Sequence, residues 1–428
     1  MNEVNEIENM FDELWPILRS ITGDGVRKTH DILSRIVPLT RYEIPSGTKV
    51  LDWTIPPEWV VREAYVINPD GRRILDIAEN NLHLLNYSIP FQQTVSREEL
   101  DQHLYSIPDK ANAIPYVISY YNPTWGFCIS HKERMQLPDG DYTVIIDTDH
   151  IQGSLTLSEF VLPGETQQEV FFHTYTCHPS LAHNELSGPL AAIFLARRLS
   201  QLPNRRLTYR FVFTPETIGA IAYLAMRGEE LRQNMIAGYV ITCVGDNGPL
   251  TYKYSRDGNT LADRVAEYVF DQLENGRVSY RPFDPYGSDQ RQYCSQGYRL
   301  PVGSIMRTPY GEYPEYHTSL DNKNIMDFEA MAKTIDVYSK VVNTLELNRT
   351  YKNTKPYGEP QLGKIKEIYY NTDTMHASDI TLAAKWEIHF CDGEHDLLDI
   401  ANMSRLDIDL LYKVAERLAS AGLFEHCD

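Results

Sequence analysis

Hydrophobic periodicity changes several times along the chain, and each change marks a different kind of element. In residues 3–36 the apolar positions Phe11, Leu14, Trp15, Ile17 and Leu18 recur at helical spacing, and Asp24-Gly25 signals the start of a second helix in TGDGVRKTHDILSRI. From Tyr42 to Phe160 the pattern shortens to strands broken by turn residues, as in KVLDWTIPPEWVVREAYVINPDGRRILD and PDGDYTVIID. Between Gln168 and Asn343, apolar strand cores (EVFFHTYTCH, LTYRFVFTPE, MIAGYVITCVGD) alternate with helical stretches such as ETIGAIAYLAMRG and TLADRVAEYVFDQL. That alternation predicts an α/β sheet covered by helices on both faces. The tail HDLLDIANMSRLDIDLLYKVAERLASAGLFEH reads as a short helix, a turn at Met403-Ser404-Arg405, a longer helix from Asp407 and a strand start at Leu423, the texture of a winged helix.

In such sheets ligands bind where strands end and loops turn back. His178, Glu216 and Asp246 all sit at predicted strand ends, and His317 lies in the Gly-, Pro- and Tyr-rich loop TPYGEYPEYHTSLDN. A catalytic zinc site takes three His or carboxylate ligands, keeps a position for water and needs a separate carboxylate as proton acceptor. His178, Glu185 and His317 supply such a ligand set, with Glu216 as the base. Asn184 and Glu185 also suit the first turn of a helix for capping and dipole reasons alone, so their position has a purely structural explanation as well.

Composition narrows the classes further. The chain has 428 residues and 59 acidic against 40 basic side chains, a formal charge of -19 at pH 7. That field repels phosphate backbones unless a local basic patch overrides it. No run approaches the ~18 apolar residues of a membrane span, and the amino-terminal stretch lacks the charge order of a secretory signal. The six cysteines are scattered without a close CxxC pair, as expected of free thiols in a reducing compartment, so the reading is cytoplasmic.

The segments HPSLAHNELSG, TPETIGA, SDQRQYCSQGYRLPVGSIMRTPYGEYPEYHTSLDN and RSITGDGVRKTHDIL together resemble a bacterial aminopeptidase-like family. That family joins a zinc-exopeptidase core to an inserted β domain and a C-terminal winged helix. More distantly, the core is similar to co-catalytic zinc aminopeptidases and glutaminyl cyclases. The resemblance implies N-terminal helices of the core in 1–41, an inserted β-rich domain in 42–160, the zinc-exopeptidase-like core in 161–349 and a winged-helix domain in 350–428. It carries over His178 as the first metal ligand, Glu216 as general base and His317 as the late ligand.

Three positions depart from the pattern: Asn184 stands where a bridging Asp is expected, Thr217 replaces a second Glu, and Thr242 occupies the place of a strand-end Asp. A neutral amide cannot bridge two dications, so one zinc per chain is expected, with Asp246 as a reserve ligand. Asp246 or Asp289 would hold a substrate ammonium, and Arg307 or Tyr316 would face a developing oxyanion.

These residues predict a mono-zinc aminopeptidase-like enzyme acting on small peptides or aminoacyl amides. The alternative is a catalytically degenerate protein that keeps the fold and binds partners through its winged helix. From Thr350 onward there are 8 Lys/Arg against 14 Asp/Glu, and the presumed recognition helix carries only Lys413 and Arg417 against Asp407, Asp409 and Glu416. Nucleic acid is therefore not the expected partner of the tail, which reads better as an interaction module, including one that joins copies of the chain.

Overall fold

A computed structural model describes residues 2–273, 278–365 and 379–427. Its centre is an eight-stranded sheet in the spatial order Thr40–Pro45, Ser154–Leu162, Thr208–Thr214, Glu169–Tyr175, Met235–Ile241, Val302–Met306, Leu250–Lys253, Val278–Arg281. The four middle strands are mutually parallel, and antiparallel pairings flank them on both sides. Glu169–Tyr175 and Thr208–Thr214 are buried at every position, which is why they read as continuous apolar runs rather than as alternating ones.

Helices flank this sheet. Ser187–Ser200 is apolar nearly all round and almost wholly buried. Gly188, in its first turn, has no room for a side chain, since a Cβ there would lie 2.4 Å from Thr174 Oγ1 and 2.5 Å from the Ile241 carbonyl oxygen. Close approach at that point seats the helix start on the strand ends, where the candidate site lies.

Sequence places 42–160 in a single β-rich segment, but the structure gives both ends of that segment to the large sheet. Thr40–Pro45 pairs antiparallel with Ser154–Leu162, which pairs in turn with Thr208–Thr214, and Leu155 and Leu157 are fully buried there. Burial in the main core, invisible to strand patterning, decides the assignment. Between these ends lies a separate four-stranded antiparallel sheet in the order Arg73–Ile74, Glu58–Ile67, Asp141–Ile151, Phe91–Ser96.

The chain divides into two compact units, Met1–Ala262 with Gly276–Asp336, and Asp263–Asn275 with Val337–Asp428. In the second, helices Asp379–Phe390, Leu397–Ser404 and Ile408–Ser420 accompany a three-stranded sheet of Asp392–Asp396, Thr350–Asn353 and Phe424–His426. Asp396 and Asp399 form a reciprocal capping box at the start of Leu397–Ser404, Arg405 ends that helix in the left-handed conformation, and Asp407 caps the next. These signals produce the winged-helix turn read from the sequence. No helix among the described residues is long and apolar enough to cross a membrane. All six cysteines are unpaired, and only Cys427 is exposed.

Candidate active site

His178 follows the strand Glu169–Tyr175, and its backbone carbonyl accepts a 2.9 Å bond from the buried Arg19 Nε. Four residues later the chain makes a wide π-type turn, Ala182–Leu186, before the helix begins at Ser187. The turn brings Glu185 back onto His178: Oε1 accepts the His178 N–H at 3.0 Å and Oε2 lies 2.7 Å from Nδ1. Nδ1 therefore donates to Glu185, and Nε2 lies 3.6 Å from Glu216 Oε2. Burial works against the charged imidazole, but Cys177, Tyr116 and Glu185 outweigh it and hold its pKa well above the usual range.

Glu216 lies two residues beyond the next strand in the sequence, Thr208–Thr214, and its N–H points at Cys177 Sγ, 3.2 Å away. The residue after it, Thr217, has φ 62° and ψ -76°, an uncommon state for a β-branched residue. Two contacts hold it there. Asp289 Oδ1 accepts the Thr217 N–H at 2.7 Å, and Arg291 donates to Thr217 Oγ1 at 2.8 Å. The backbone that carries Glu216 is thus followed by a strained residue pinned from two sides. Burial raises its pKa, while His178 and Arg291 pull the other way.

His317 is delivered by its loop, also in the left-handed region at φ 53°. The His317 carbonyl accepts the Tyr116 N–H at 2.8 Å, and Tyr116 packs against both imidazoles, with ring centroids 5.0 Å from His178 and 5.3 Å from His317. The His178 and His317 centroids are 5.4 Å apart. Burial and the nearby His178 push the His317 pKa down to about 3, so this ring is neutral and its lone pair is free for a metal. His178, Glu216 and His317, from three separate segments, line one cavity of about 290 Å³ together with Tyr116, Thr217 and Arg291.

The remaining expected residues lie off this cavity. Glu185 stands behind His178, with both oxygens within hydrogen-bond reach of it, and is not among the residues lining the cavity, although its ligand atom lies within 4.8 Å of those of Cys177 and His178. Asp289 is fully buried beneath Thr217 and offers no surface to a substrate ammonium. Asp246 accepts from the Thr308 N–H and hydroxyl. Arg307 spends its donors on Thr334 Oγ1 and the Gly248 and Ala330 carbonyls, holding the loop together. Tyr316 stacks on His317 at 3.9 Å between centroids and steadies that ring.

Three residues matter that sequence reading passed over. Arg291 brings a cation to the cavity, and Tyr116 comes from the middle of the β-rich segment. Asp321 is fully buried: Oδ1 accepts the Ala182 and His183 N–H groups at 3.1 and 2.7 Å, and Oδ2 accepts the Asn184 N–H at 3.1 Å and the Tyr313 hydroxyl at 2.9 Å. It ties the His317 loop to the turn carrying Glu185. An Asp four residues after the candidate ligand His317 was the available signal.

The donor set can be tested against zinc. Among the described residues one group has its ligand atoms within 4.8 Å of one another, Cys177, His178 and Glu185. Facing the cavity are two imidazoles and the Glu216 carboxylate, nitrogen and oxygen donors of the kind zinc takes. Behind the cavity, Asn184, Tyr175 and Thr242 form a neutral hydrogen-bonded set. Tyr175 OH lies 2.5 Å from Thr242 Oγ1, Asn184 Nδ2 donates to Tyr175 OH at 3.2 Å, and Thr242 Oγ1 donates to the Asn184 carbonyl at 3.1 Å.

This arrangement, a mixed sheet with acid and imidazole groups at its strand ends and a winged helix attached, is that of an aminopeptidase-like protein. The chain belongs to the family described as "Domain of unknown function (DUF4910)", which matches residues 8–348, and a winged helix-turn-helix family matches residues 349–426. It is 43% identical over 419 residues, 96% of this chain and 95% of the relative, to a Clostridium acetobutylicum protein named for polysaccharide biosynthesis and an aminopeptidase-like domain. A crystal structure of a candidate peptidase from Clostridium acetobutylicum superposes with a TM-score of 0.90 at 41% identity, covering 99% of this chain and 96% of that one. A zinc aminopeptidase from Bacillus subtilis shares the fold at 12% identity, with a TM-score of 0.60 over 80% of this chain and 94% of that one.

Proposed function

We propose that the chain is a metal-dependent hydrolase of amide bonds, an aminopeptidase-like enzyme that uses one zinc ion and acts on small peptides or aminoacyl amides. The observation that carries this reading is the convergence of His178, Glu216 and His317 on one cavity. His178 through Nε2 and His317 would hold the ion, and Glu185 on Nδ1 fixes the tautomer and raises the basicity of the ring. Bound there, zinc would supply Lewis-acid polarisation of the substrate carbonyl and lower the pKa of a water towards ~7.

The chain's own residues do the rest. Glu216 accepts the proton of the attacking water as the C–O bond forms and passes it to the nitrogen as the C–N bond breaks, so that acid and amine leave. Its raised pKa suits it to both halves of that transfer. Arg291 is the cation placed to face negative charge on the carbonyl oxygen or on a substrate carboxylate. Six unpaired cysteines support a cytoplasmic setting.

The neutral set at Asn184, Tyr175 and Thr242 favours a second reading, a fold retained for binding alone. Hydrolysis of a panel of aminoacyl p-nitroanilides and short peptides, with and without added zinc, separates the two. Zinc-dependent turnover supports the enzyme, and a metal-loaded chain inert across the panel leaves the binding protein.

A further inference from the structure

Beyond the catalytic cavity lies a second one of about 600 Å³, inside the range of roughly 300–1,000 Å³ typical of small-molecule sites. The two share the rings of Tyr120 and Tyr121 as a common wall. Tyr120 is tied to the catalytic side by a 2.8 Å bond between its hydroxyl and that of Tyr116, the ring packed on His178 and His317. Tyr121, 53% exposed, turns a large aromatic face to solvent at this shared wall, and Trp53, which lines the catalytic cavity, packs on it edge to face with centroids 5.7 Å apart. Tyr87 and His150 form another aromatic contact deeper in, at 5.3 Å.

The chemistry of the lining is selective. No Lys, Arg, Asp or Glu lines the second cavity among the described residues. Burial lowers the His150 pKa and keeps that ring neutral at pH 7. An anionic ligand such as a phosphate ester finds no counter-charge there. Yet the walls are not purely apolar: the Thr54 hydroxyl, the Tyr121 hydroxyl and the Gln152 amide line it and make no hydrogen bond to the described residues. An apolar side chain seated there would strip water from these groups without replacing it. A neutral polyol with flat C–H faces would stack on the aromatic rings and satisfy the free donors and acceptors at its edge.

We infer that the second cavity binds an uncharged sugar ring, so that the substrate is a sugar carrying an amide-linked group, its ring against Tyr120 and Tyr121 and its amide towards Glu216. The placement of the amide rests on the hydrolase reading above; the binding of the ring does not. The ring site is built by residues other than His178, Glu216 and His317, and it meets the catalytic cavity at Tyr120 and Tyr121.

Saturation-transfer NMR on the full-length chain, with the methyl glycosides of glucose and N-acetylglucosamine as probes, tests this. At least one glycoside should bind the parent. Tyr121→Ala should weaken it about tenfold, the scale of a lost aromatic contact, with Tyr121→Phe closer to the parent. Thermal unfolding of each variant checks that the fold persists. Glu216→Gln should leave sugar binding intact, so a chain that binds the glycoside but hydrolyses nothing would sink the hydrolase reading and keep this one. Failure of both glycosides to bind at millimolar concentration, or undiminished binding by folded Tyr121→Ala, overturns the sugar site.

Discussion

Glu216 and Asp289 show how much a single residue's environment decides. Glu216→Gln keeps the shape of the side chain but cannot accept a proton, so metal content and fold should persist while turnover falls by ~10² to 10⁴. Parent-like rates on a confirmed substrate would remove Glu216 from the mechanism. Asp289 carries a testable pH dependence. Burial, reinforced by the nearby Glu216, raises its folded pKa well above the unfolded value of ~3.9. A raised carboxyl contributes stability fully below the unfolded pKa and loses it as pH rises towards the folded one. Asp289→Asn keeps an acceptor for the Thr217 N–H and removes the titration, so its melting temperature should fall less than the parent's between about pH 5 and about pH 8. Identical slopes would show that Asp289 does not titrate in the fold. At this scale the sequence disclosed residue types but not directions. His178 and Glu216 were legible from their strand ends, whereas the backward reach of Glu185 to Nδ1 depends on a turn width that spacing does not encode.

The site's precision comes from its connecting elements more than from its strands. A π-type turn swings Glu185 inward, and residues of positive φ stand at Thr217, where the helix Ile218–Asn234 begins, and at His317 in its loop. Thr217 has no propensity signal, since a β-branched residue is not one that a positive φ favours. Strands and helices were predictable because burial on both faces leaves a continuous apolar run and amphipathic helices leave a stripe. Asp321 is the clamp between the elements. Asp321→Ala would leave the His183 and Asn184 N–H groups and the Tyr313 hydroxyl buried without their acceptor, at a cost of about 3 kcal/mol or more. Urea unfolding should show that loss, with Asp321→Asn intermediate; an Ala variant as stable as the parent would mean the turn holds itself.

Across the whole molecule, the outline of core, β-rich insertion and winged helix was legible because each has its own periodicity. The edges of the insertion were not, because its first and last strands are recruited by the main sheet through burial. The winged helix keeps its architecture with an acidic surface composition, so fluorescence anisotropy of the intact chain with duplex DNA at physiological salt should show no salt-sensitive binding; tight binding that weakens steeply with salt would contradict that. Metal stoichiometry tests the central claim most directly, because it follows from the neutral set at Asn184, Tyr175 and Thr242. Elemental analysis of the full-length chain, purified without chelators and equilibrated with zinc, should find one ion per chain and lose it in His178→Ala. Two tightly held ions, or none at saturation, would contradict the account.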